Sequence, residues 1–479
     1  MKKLTITLCT ALAMLLFAGS VAANNINLTN IRLSGQNTTA GANNAANYTL
    51  VQFDLSWENS WRTSSEPNNW DAAWVFVKYR VGSGDWQHAW LNDIGHSGGT
   101  GTGATIDAGL LTPGIAFHTT TNPTLGVFIY RSANGTGTFS ISDAQLRWNY
   151  GANGVTDNAT VDVQVFAIEM VYVPQGDFYA GSGGAETSAF YTSPITTNPY
   201  QITSEGAITV GTTSGNLYYA SSDSGGDQGG PIPADFPKGY AGFYCQKYEI
   251  TQQQYVDFLN TLTSTQANVR QIVYGLFRNA ITVSSGVYST NNPYVACNWM
   301  SWMDGAAYAD WAGLRPMTEL EYEKACRGTK IPVLNEYAWG NTTVTAANNI
   351  TNPGANSETT ITSNANAVYG NQTNVQGPMR VGVFAKSSTT REQAGASYYG
   401  IMELSGNLVE RAVTVGHLDG RSFTGIHGNG ALSTKGHADV STWPGLYEGE
   451  VTEATGAGFR GGDLYFGATN MRTSDRSLA

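Results

Sequence analysis

The sequence predicts an α+β protein in which an N-terminal all-β domain precedes a mixed domain. Before residue 150, apolar and polar residues alternate along several short segments, as in half-buried strands, and clusters of Gly, Asn and Ser separate these segments. After residue 250, apolar residues recur at helical spacing behind capping residues. The change of pattern near residue 160 indicates more than one domain in this chain of 479 residues.

Residues 1–23 have the features of a secretory signal peptide. Lys2 and Lys3 precede an apolar run, and small residues close the segment at Ala23. The apolar run is shorter than the stretch of about 20 residues that a membrane anchor needs, so cleavage after Ala23 is favoured. We therefore expect an exported protein that is periplasmic, displayed on the cell surface or secreted, with no integral membrane segment after cleavage.

The composition argues against nucleic acid as a partner. The formal net charge is −11, and cleavage after Ala23 would remove two lysines and no acidic residue, which makes it −13. Binding to phosphates requires clustered Lys and Arg. Charged residues make up only 13% of the chain, about half the usual share, which fits an exported protein rich in strands and loops. Cys245, Cys297 and Cys326 remain after cleavage and could form one disulfide with a free thiol, or three buried thiols.

Short strands predict a β-sandwich-like domain over residues 24–155. Residues 51–57 alternate strictly between apolar and polar side chains, and further strands are expected at 74–81, 125–130 and 138–148. Regular strands of this length with Gly-rich turns are typical of sandwiches.

The N-terminal region is also rich in tryptophan. Exposed rings would offer platforms for sugars, but strand tryptophans are more often part of a core, and we favour the core interpretation. The seven residues are Trp57, Trp61, Trp70, Trp74, Trp86, Trp90 and Trp148.

A second domain is predicted over residues 161–479. Residues 183–238 are rich in Gly, Ser, Thr and Asp, and we expect them to form a polar insertion on the surface. Three amphipathic helices should follow, with N-caps at Thr251, Ser301 and Thr318. Gly313 and Gly328 are expected to end the second and third of them.

Six motifs after residue 245 together resemble the formylglycine-generating, or sulfatase-modifying factor, family. This resemblance covers about 300 residues and implies an irregular variant of the C-type lectin fold, with two long helices around small sheets. The motifs are Tyr248-Glu249-Ile250-Thr251, Asn298 to Tyr308, Leu314 to Glu323, Tyr337-Ala338-Trp339-Gly340, Gly400 to Glu410, and Arg460-Gly461-Gly462.

The resemblance also implies where the chemistry of the family would lie. The enzymes bind copper(I) through two cysteines, which correspond here to Phe466 and Met471. Copper(I) prefers thiolates, so we expect no copper and no formylglycine formation. Family members often bind a structural calcium ion through the segment that contains Asn407 and Glu410, which are therefore candidate calcium ligands. Asn407 could instead be only a turn residue.

Related sulfoxide synthases hold iron through histidines. His417, His427 and His437 recur at ten-residue intervals and could converge in space, but three solvated loop histidines are the favoured interpretation. Residues 464–476 are expected to leave an exposed sheet edge.

The favoured function is that of an exported, non-catalytic protein that binds an unknown extracellular ligand, protein or glycan. The chain resembles variable proteins of diversity-generating retroelements, which present changeable side chains near the C-terminus on this fold. Two alternatives stay open: a secreted oxidoreductase of the family, and a structural component of a matrix or appendage. The predicted binding surface consists of side chains common on adaptable surfaces, namely Asp463, Tyr465, Phe466, Asn470 and Arg472.

Overall fold

The computed structural model describes residues 25–108, 123–220 and 225–477, and it contains both strands and helices, as the α+β class requires. The predicted signal peptide lies outside these residues. The first strands are β1 (Asn27–Asn37), β2 (Tyr48–Arg62), β3 (Asp71–Val81), β4 (Gln87–His88), β5 (Leu91–Asn92), β6 (Thr100–Gly101), β7 (Ala104–Asp107), β8 (Pro123–Thr124), β9 (Val127–Arg131), β10 (Gly135–Trp148) and β11 (Val161–Val173).

Later strands are short. They are β12 (Phe178–Ala180), β13 (Tyr191–Thr192), β14 (Tyr200–Ile202), β15 (Leu217–Tyr218), β16 (Phe243–Gln246), β17 (Ile281–Ser284), β18 (Val287–Thr290), β19 (Glu410–Val413), β20 (Leu446–Tyr447), β21 (Glu450–Val451) and β22 (Ala457–Arg460). The helices are α1 (Gln252–Leu259), α2 (Ser264–Arg270), α3 (Trp302–Trp311), α4 (Glu319–Arg327), α5 (Arg391–Ala394) and α6 (Leu418–Arg421), with a 3₁₀ turn at Ala468–Met471.

Two antiparallel six-stranded sheets share one core. The first has the order β1-β2-β10-β5-β8, with β6 paired to β10, and the second has the order β16-β11-β3-β9-β7, with β4 paired to β3. Alternate side chains of β2 and β10, including Phe53 and Phe139, pack against Val75 and Val77 of β3. The alternation in the sequence therefore marks the face of the first sheet that is buried.

The second sheet joins residues on both sides of the predicted domain boundary at 155–161. Strand β11 pairs with β3 from Val161 opposite Val81 to Val171 opposite Asp71, and then pairs with β16. The N-terminal strands and the start of the second predicted domain thus form one hydrogen-bonded sheet.

Strand β3 is buried on both faces. Trp74 and Phe76 point away from the first sheet and pack against α1 and α3. Trp74 donates its Nε1 hydrogen to the carbonyl of Ala312 at 2.8 Å, and the buried Lys78 ammonium donates to the carbonyl of Trp311 at 2.7 Å. The layers are therefore first sheet, second sheet and helices, and β3 reads as a nearly continuous apolar run because both of its faces are covered.

The core interpretation is confirmed for three of the seven N-terminal tryptophans. Trp57, Trp74 and Trp148 are buried. The other four are half-buried and none of the seven is exposed: they are Trp61, Trp70, Trp86 and Trp90.

The three predicted helix starts are confirmed. Thr251, Ser301 and Thr318 each accept a hydrogen bond from the third residue of the helix that follows, and the side chain of that residue caps in return. The sequence analysis missed α2, although Thr263 and Gln266 form the same reciprocal cap. The two long helices implied by the resemblance are wrong for the described residues, in which the longest helix is α3 with 10 residues.

The segment predicted to be a polar surface insertion, residues 183–238, also contributes side chains to the core. Phe190, Tyr219, Ile232 and Phe236 are fully buried in a cluster that includes Trp302 of α3. The sequence did not predict this burial because the four residues lie in a polar segment at irregular spacing. They therefore show neither the helical nor the strand periodicity of apolar residues.

The prediction of an exposed edge at residues 464–476 is wrong. Leu464 and Met471 are buried, and Arg476 is fully enclosed. The Arg476 guanidinium pairs with Glu319 at 2.6 Å and lies over the ring of Phe190. An ion pair with α4 therefore fixes the end of this segment inside the protein, and the segment, which the structure describes throughout, contains no strand that could form a sheet edge.

Candidate functional site

A largely apolar cavity of about 600 Å³ lies between β16, α3 and the segment that ends at Tyr465. Its volume falls within the range of small-molecule sites. Several methionine and cysteine side chains contribute to its wall, namely Met300, Met317, Met402, Cys245 and Cys297. Flexible thioethers adapt to ligands of different shape.

Three exposed aromatic rings surround the opening of this cavity, and we call Phe277, Trp299 and Tyr465 the aromatic mouth. They are 39%, 48% and 44% exposed. The ring centroid of Phe277 lies 5.7 Å from that of Trp299 and 5.6 Å from that of Tyr465. Tyr274 extends the row, 5.7 Å from Trp299.

The backbone of the aromatic mouth is strained. Phe277 has φ of 51° and Trp299 has φ of 69°, which bulky residues rarely adopt. The Asn298 amide holds them together, since its Nδ2 donates to the Phe277 carbonyl at 2.9 Å. At Gly377 an added Cβ would lie 2.3 Å from that carbonyl oxygen, so glycine is needed for this close approach.

Carboxyl groups lie beside the apolar wall. Asp463 is fixed by two backbone donors, because its Oδ1 accepts from the N–H groups of Tyr465 at 2.7 Å and Phe466 at 3.0 Å. Glu249 accepts from Asn407 Nδ2 at 2.5 Å and from the Leu408 N–H at 2.8 Å. Burial, followed by the charge of Glu403, raises the pKa of Glu249 well above its ordinary value.

Glu410 is the third carboxyl group of this region. Its Oε2 is buried and has no hydrogen-bond partner in the described part of the chain. Burial, followed by the charge of Glu249, raises its pKa well above the ordinary value. A Cβ at Gly461 would lie 2.0 Å from this oxygen. Gly461 also has φ of 80°, so both the close approach and the backbone conformation favour glycine at this position.

The Arg460 side chain forms the centre of a buried ionic network. It pairs with Glu319 and Glu323 of α4, both at 2.9 Å, and all three side chains are almost fully buried. Arg476 also pairs with Glu319. Burial disfavours ionisation of Glu319, but Arg476 and Arg460 outweigh it and lower the pKa of Glu319 to about 2. The arginine of the Arg460-Gly461-Gly462 motif therefore has a structural role in the fold around the site.

A family model of the sulfatase-modifying factor enzyme 1-like domain matches residues 156–436, which is more than half of the chain. This chain belongs to the sulfatase-modifying factor enzyme 1-like family. Five of the six motifs lie within the matched range, and Arg460-Gly461-Gly462 follows it. A comparison with curated proteins gave no significant match.

Of the two copper positions of the family, Phe466 offers no ligand in this member and Met471 offers only a lone thioether. Phe466 is half-buried, and Met471 is buried beside Tyr337 and Trp339. Cys245 and Cys297 are unpaired. Burial raises the pKa of Cys245 to about 12 and that of Cys297 still further, so both thiols stay protonated near neutral pH.

The calcium candidates also fit poorly. Asn407 Oδ1 accepts from the Met379 N–H at 2.8 Å, and its amide donates to Glu249, so this side chain bridges protein groups. Calcium takes about six to eight oxygen ligands. Among residues 25–108, 123–220 and 225–477, no three His, Cys, Asp or Glu side chains are arranged to hold a metal. Calcium binding at Asn407 and Glu410 stays a prediction.

The three recurring histidines have different surroundings. His417 caps α6, since its Nδ1 accepts from the Asp419 N–H at 3.1 Å. His437 Nδ1 lies 3.3 Å from Nη2 of Arg270, and His427 lines the cavity. Only His417 is exposed.

The predicted binding surface divides into two parts. Asp463 and Tyr465 line the cavity, and Phe466 follows them. Asn470 donates to Ser477 Oγ at 3.0 Å, and Arg472 donates to Asn335 Oδ1 at 3.1 Å. The sequence analysis missed Phe277 and Trp299. The signal available in the sequence was Trp299 itself. It lies in the turn before the Ser301 cap and outside the apolar stripe of α3, so it is not needed for helix packing.

Proposed function

We propose that this family member is an exported, non-catalytic binding protein whose cavity receives an apolar group of its ligand. The observation that carries this proposal is the aromatic mouth over an apolar cavity of about 600 Å³. Contiguous exposed rings cost free energy in water and mark ligand grooves when they border a cavity.

Backbone strain supports the same site. A non-glycine residue with positive φ costs on the order of 1–3 kcal/mol and persists where the surrounding structure requires it. Phe277 and Trp299 both have this conformation and both present an exposed ring to the cavity opening. Ligand binding explains why the protein holds these rings outward.

Export rests on the signal-peptide pattern of residues 1–23. None of the helices in the described ranges is long and apolar enough to cross a bilayer.

The Trp299→Ala variant should bind an apolar probe more weakly. Removal of one ring from the aromatic mouth takes away stacking and apolar area worth about a kcal/mol, so we expect affinity to fall about fivefold to tenfold. Titration with the uncharged fluorescent probe N-phenyl-1-naphthylamine measures this.

A matched control is Tyr447→Ala. Tyr447 is 57% exposed on the β20–β21 hairpin and does not line the cavity. Its replacement should leave the affinity unchanged. No binding of the probe by the native protein, or equal binding by both variants, would refute the proposed site.

Copper should not confer oxidase activity. With Phe466 and Met471 at the family's copper positions and protonated thiols elsewhere, we expect no oxygen uptake on a cysteine-containing peptide after copper(I) or iron(II) is added. An oxygen electrode and metal analysis by mass spectrometry test this. Stoichiometric copper or iron with turnover would establish the secreted oxidoreductase instead.

A further inference from the structure

The carboxyl groups of the cavity outnumber its arginines. Four acidic side chains line it, against two arginines and one histidine. Arg315 is already engaged, because its guanidinium donates to both carboxylate oxygens of Glu321 at 2.8 and 2.5 Å. Arg411 donates its Nε hydrogen to the Met300 carbonyl at 2.9 Å.

The remaining carboxyl groups receive hydrogen bonds from neutral groups only. The donors to Asp463 are backbone N–H groups, and those to Glu249 are an amide side chain and a backbone N–H. Glu410 Oε2 has no hydrogen-bond partner within the described ranges. A buried oxygen without a donor is costly, so a ligand that supplies a donor gains free energy there.

The aromatic mouth also favours a positively charged ligand. The faces of Trp, Tyr and Phe rings carry partial negative charge and attract cations. Trp299 and Tyr465 flank Phe277, and Asp463 lies two residues before Tyr465. Rings and carboxylate at one opening thus favour a positively charged ligand over a neutral or anionic one.

We propose that the cavity selects small organic amines, with the ammonium group bound by Asp463 and Glu410 and the apolar body against the aromatic mouth. This inference rests on the proposed function and deepens it by naming the ligand class. The ammonium group supplies the missing donor to Glu410 and favours the ionised form of this carboxyl group, whose pKa is raised by burial in the unliganded protein. The apolar body covers rings that otherwise face water.

Three probes that differ only in the head group test the charge preference. Calorimetric titration of the purified protein with phenylbutylamine, phenylbutanol and phenylbutyrate should show the amine binding about tenfold more tightly than the alcohol, and the carboxylate binding most weakly. In each of the single variants Asp463→Asn and Glu410→Gln, the affinity for phenylbutylamine should fall about tenfold, while the affinity for phenylbutanol should change less than about twofold.

Asp419→Asn is the matched control, since Asp419 is an exposed acid that does not line the cavity. It should bind all three probes as the native protein does. Equal affinities for the three probes, or an amine preference that survives both carboxyl substitutions, would overturn the inference. The two failures are distinguishable. If neither N-phenyl-1-naphthylamine nor any of the three probes binds, the proposed site is refuted, whereas equal affinities for the three probes refute only the preference for amines.

A peptide probe tests whether the bound amine belongs to a small molecule or to a lysine side chain. An acetylated peptide with one lysine beside a phenylalanine carries the same ammonium and aromatic groups on a larger chain. We expect it to bind more weakly than phenylbutylamine, because the cavity of about 600 Å³ accommodates a small molecule. Tighter binding of the peptide would overturn the assignment to small amines.

Discussion

Replacement of Arg460 by Met should cost the protein about 3–5 kcal/mol of unfolding free energy. The substitution leaves two almost fully buried carboxylates, Glu319 and Glu323, without the guanidinium that lies between them. Removal of one partner of a buried ion pair is strongly destabilising because the other charge stays buried. Arg460 also donates to the Thr473 carbonyl at 2.6 Å, so the C-terminal segment loses a tie to α4. Urea denaturation followed by tryptophan fluorescence measures the change.

Two further variants separate the ionic effect from simple loss of packing. Arg32→Met removes an exposed ion pair with Asp143 and should cost at most about 1 kcal/mol. Glu323→Gln combined with Arg460→Met removes one of the two acids, and Arg327 keeps Glu336 as its partner, so part of the loss should be recovered. If Arg460→Met costs no more than Arg32→Met, the network does not stabilise this fold.

The Glu403→Gln variant should remove part of the pH dependence of stability. Glu403 is buried, its Oε1 accepts from the Gly382 N–H at 2.7 Å, and Oε2 has no partner among the described residues. Burial raises the pKa of Glu403 to about 8, although the hydrogen bond from Gly382 and the charge of Arg380 oppose this shift. The native side chain is thus protonated where the unfolded one is ionised.

The sign of the effect follows from proton binding. Between the ordinary pKa of 4.5 and about 8, the folded state binds more protons than the unfolded state, so the free energy of unfolding falls as pH rises. One group with this shift accounts for on the order of 4 kcal/mol over the window. Glu319 acts in the opposite direction, since its pKa of about 2 makes it lose stabilisation only as pH falls below 4.5.

Urea denaturation at pH 5, 6, 7 and 8, values within that window, provides the measurement. The native protein should lose stability across this range, and Glu403→Gln should lose several kcal/mol less. Asp419→Asn, at an exposed carboxyl, should follow the native curve. A Glu403→Gln curve parallel to the native one would show that Glu403 does not titrate in this window.

Features that depend on neighbours in the chain were predictable. The caps at Thr251, Ser301 and Thr318 need only a residue three positions further on, and all three are present. The family membership is equally local, because its motifs are short and ordered. Alternation in β2 likewise marks its buried face without knowledge of the partner sheet.

Features that depend on distant residues were not predictable. Phe190 and Tyr219 look like isolated apolar residues in a polar segment, yet they enclose Arg476. The burial of residues 473–476 follows from the ion pairs that Arg460 and Arg476 make with α4, and nothing within that segment reveals them.

By itself, then, the sequence determined the mixed fold class, three helix starts, the family and the absence of cysteine from the two copper positions, because each depends on residue types at short spacing. Only the tertiary structure decided the site. The aromatic mouth joins Phe277, Trp299 and Tyr465, which lie far apart in the chain, and the cavity behind it exists only where β16, α3 and the C-terminal segment meet. Burial and proximity then set the charge state of Glu249, Glu403 and Glu410, and these properties arise from packing rather than from residue type.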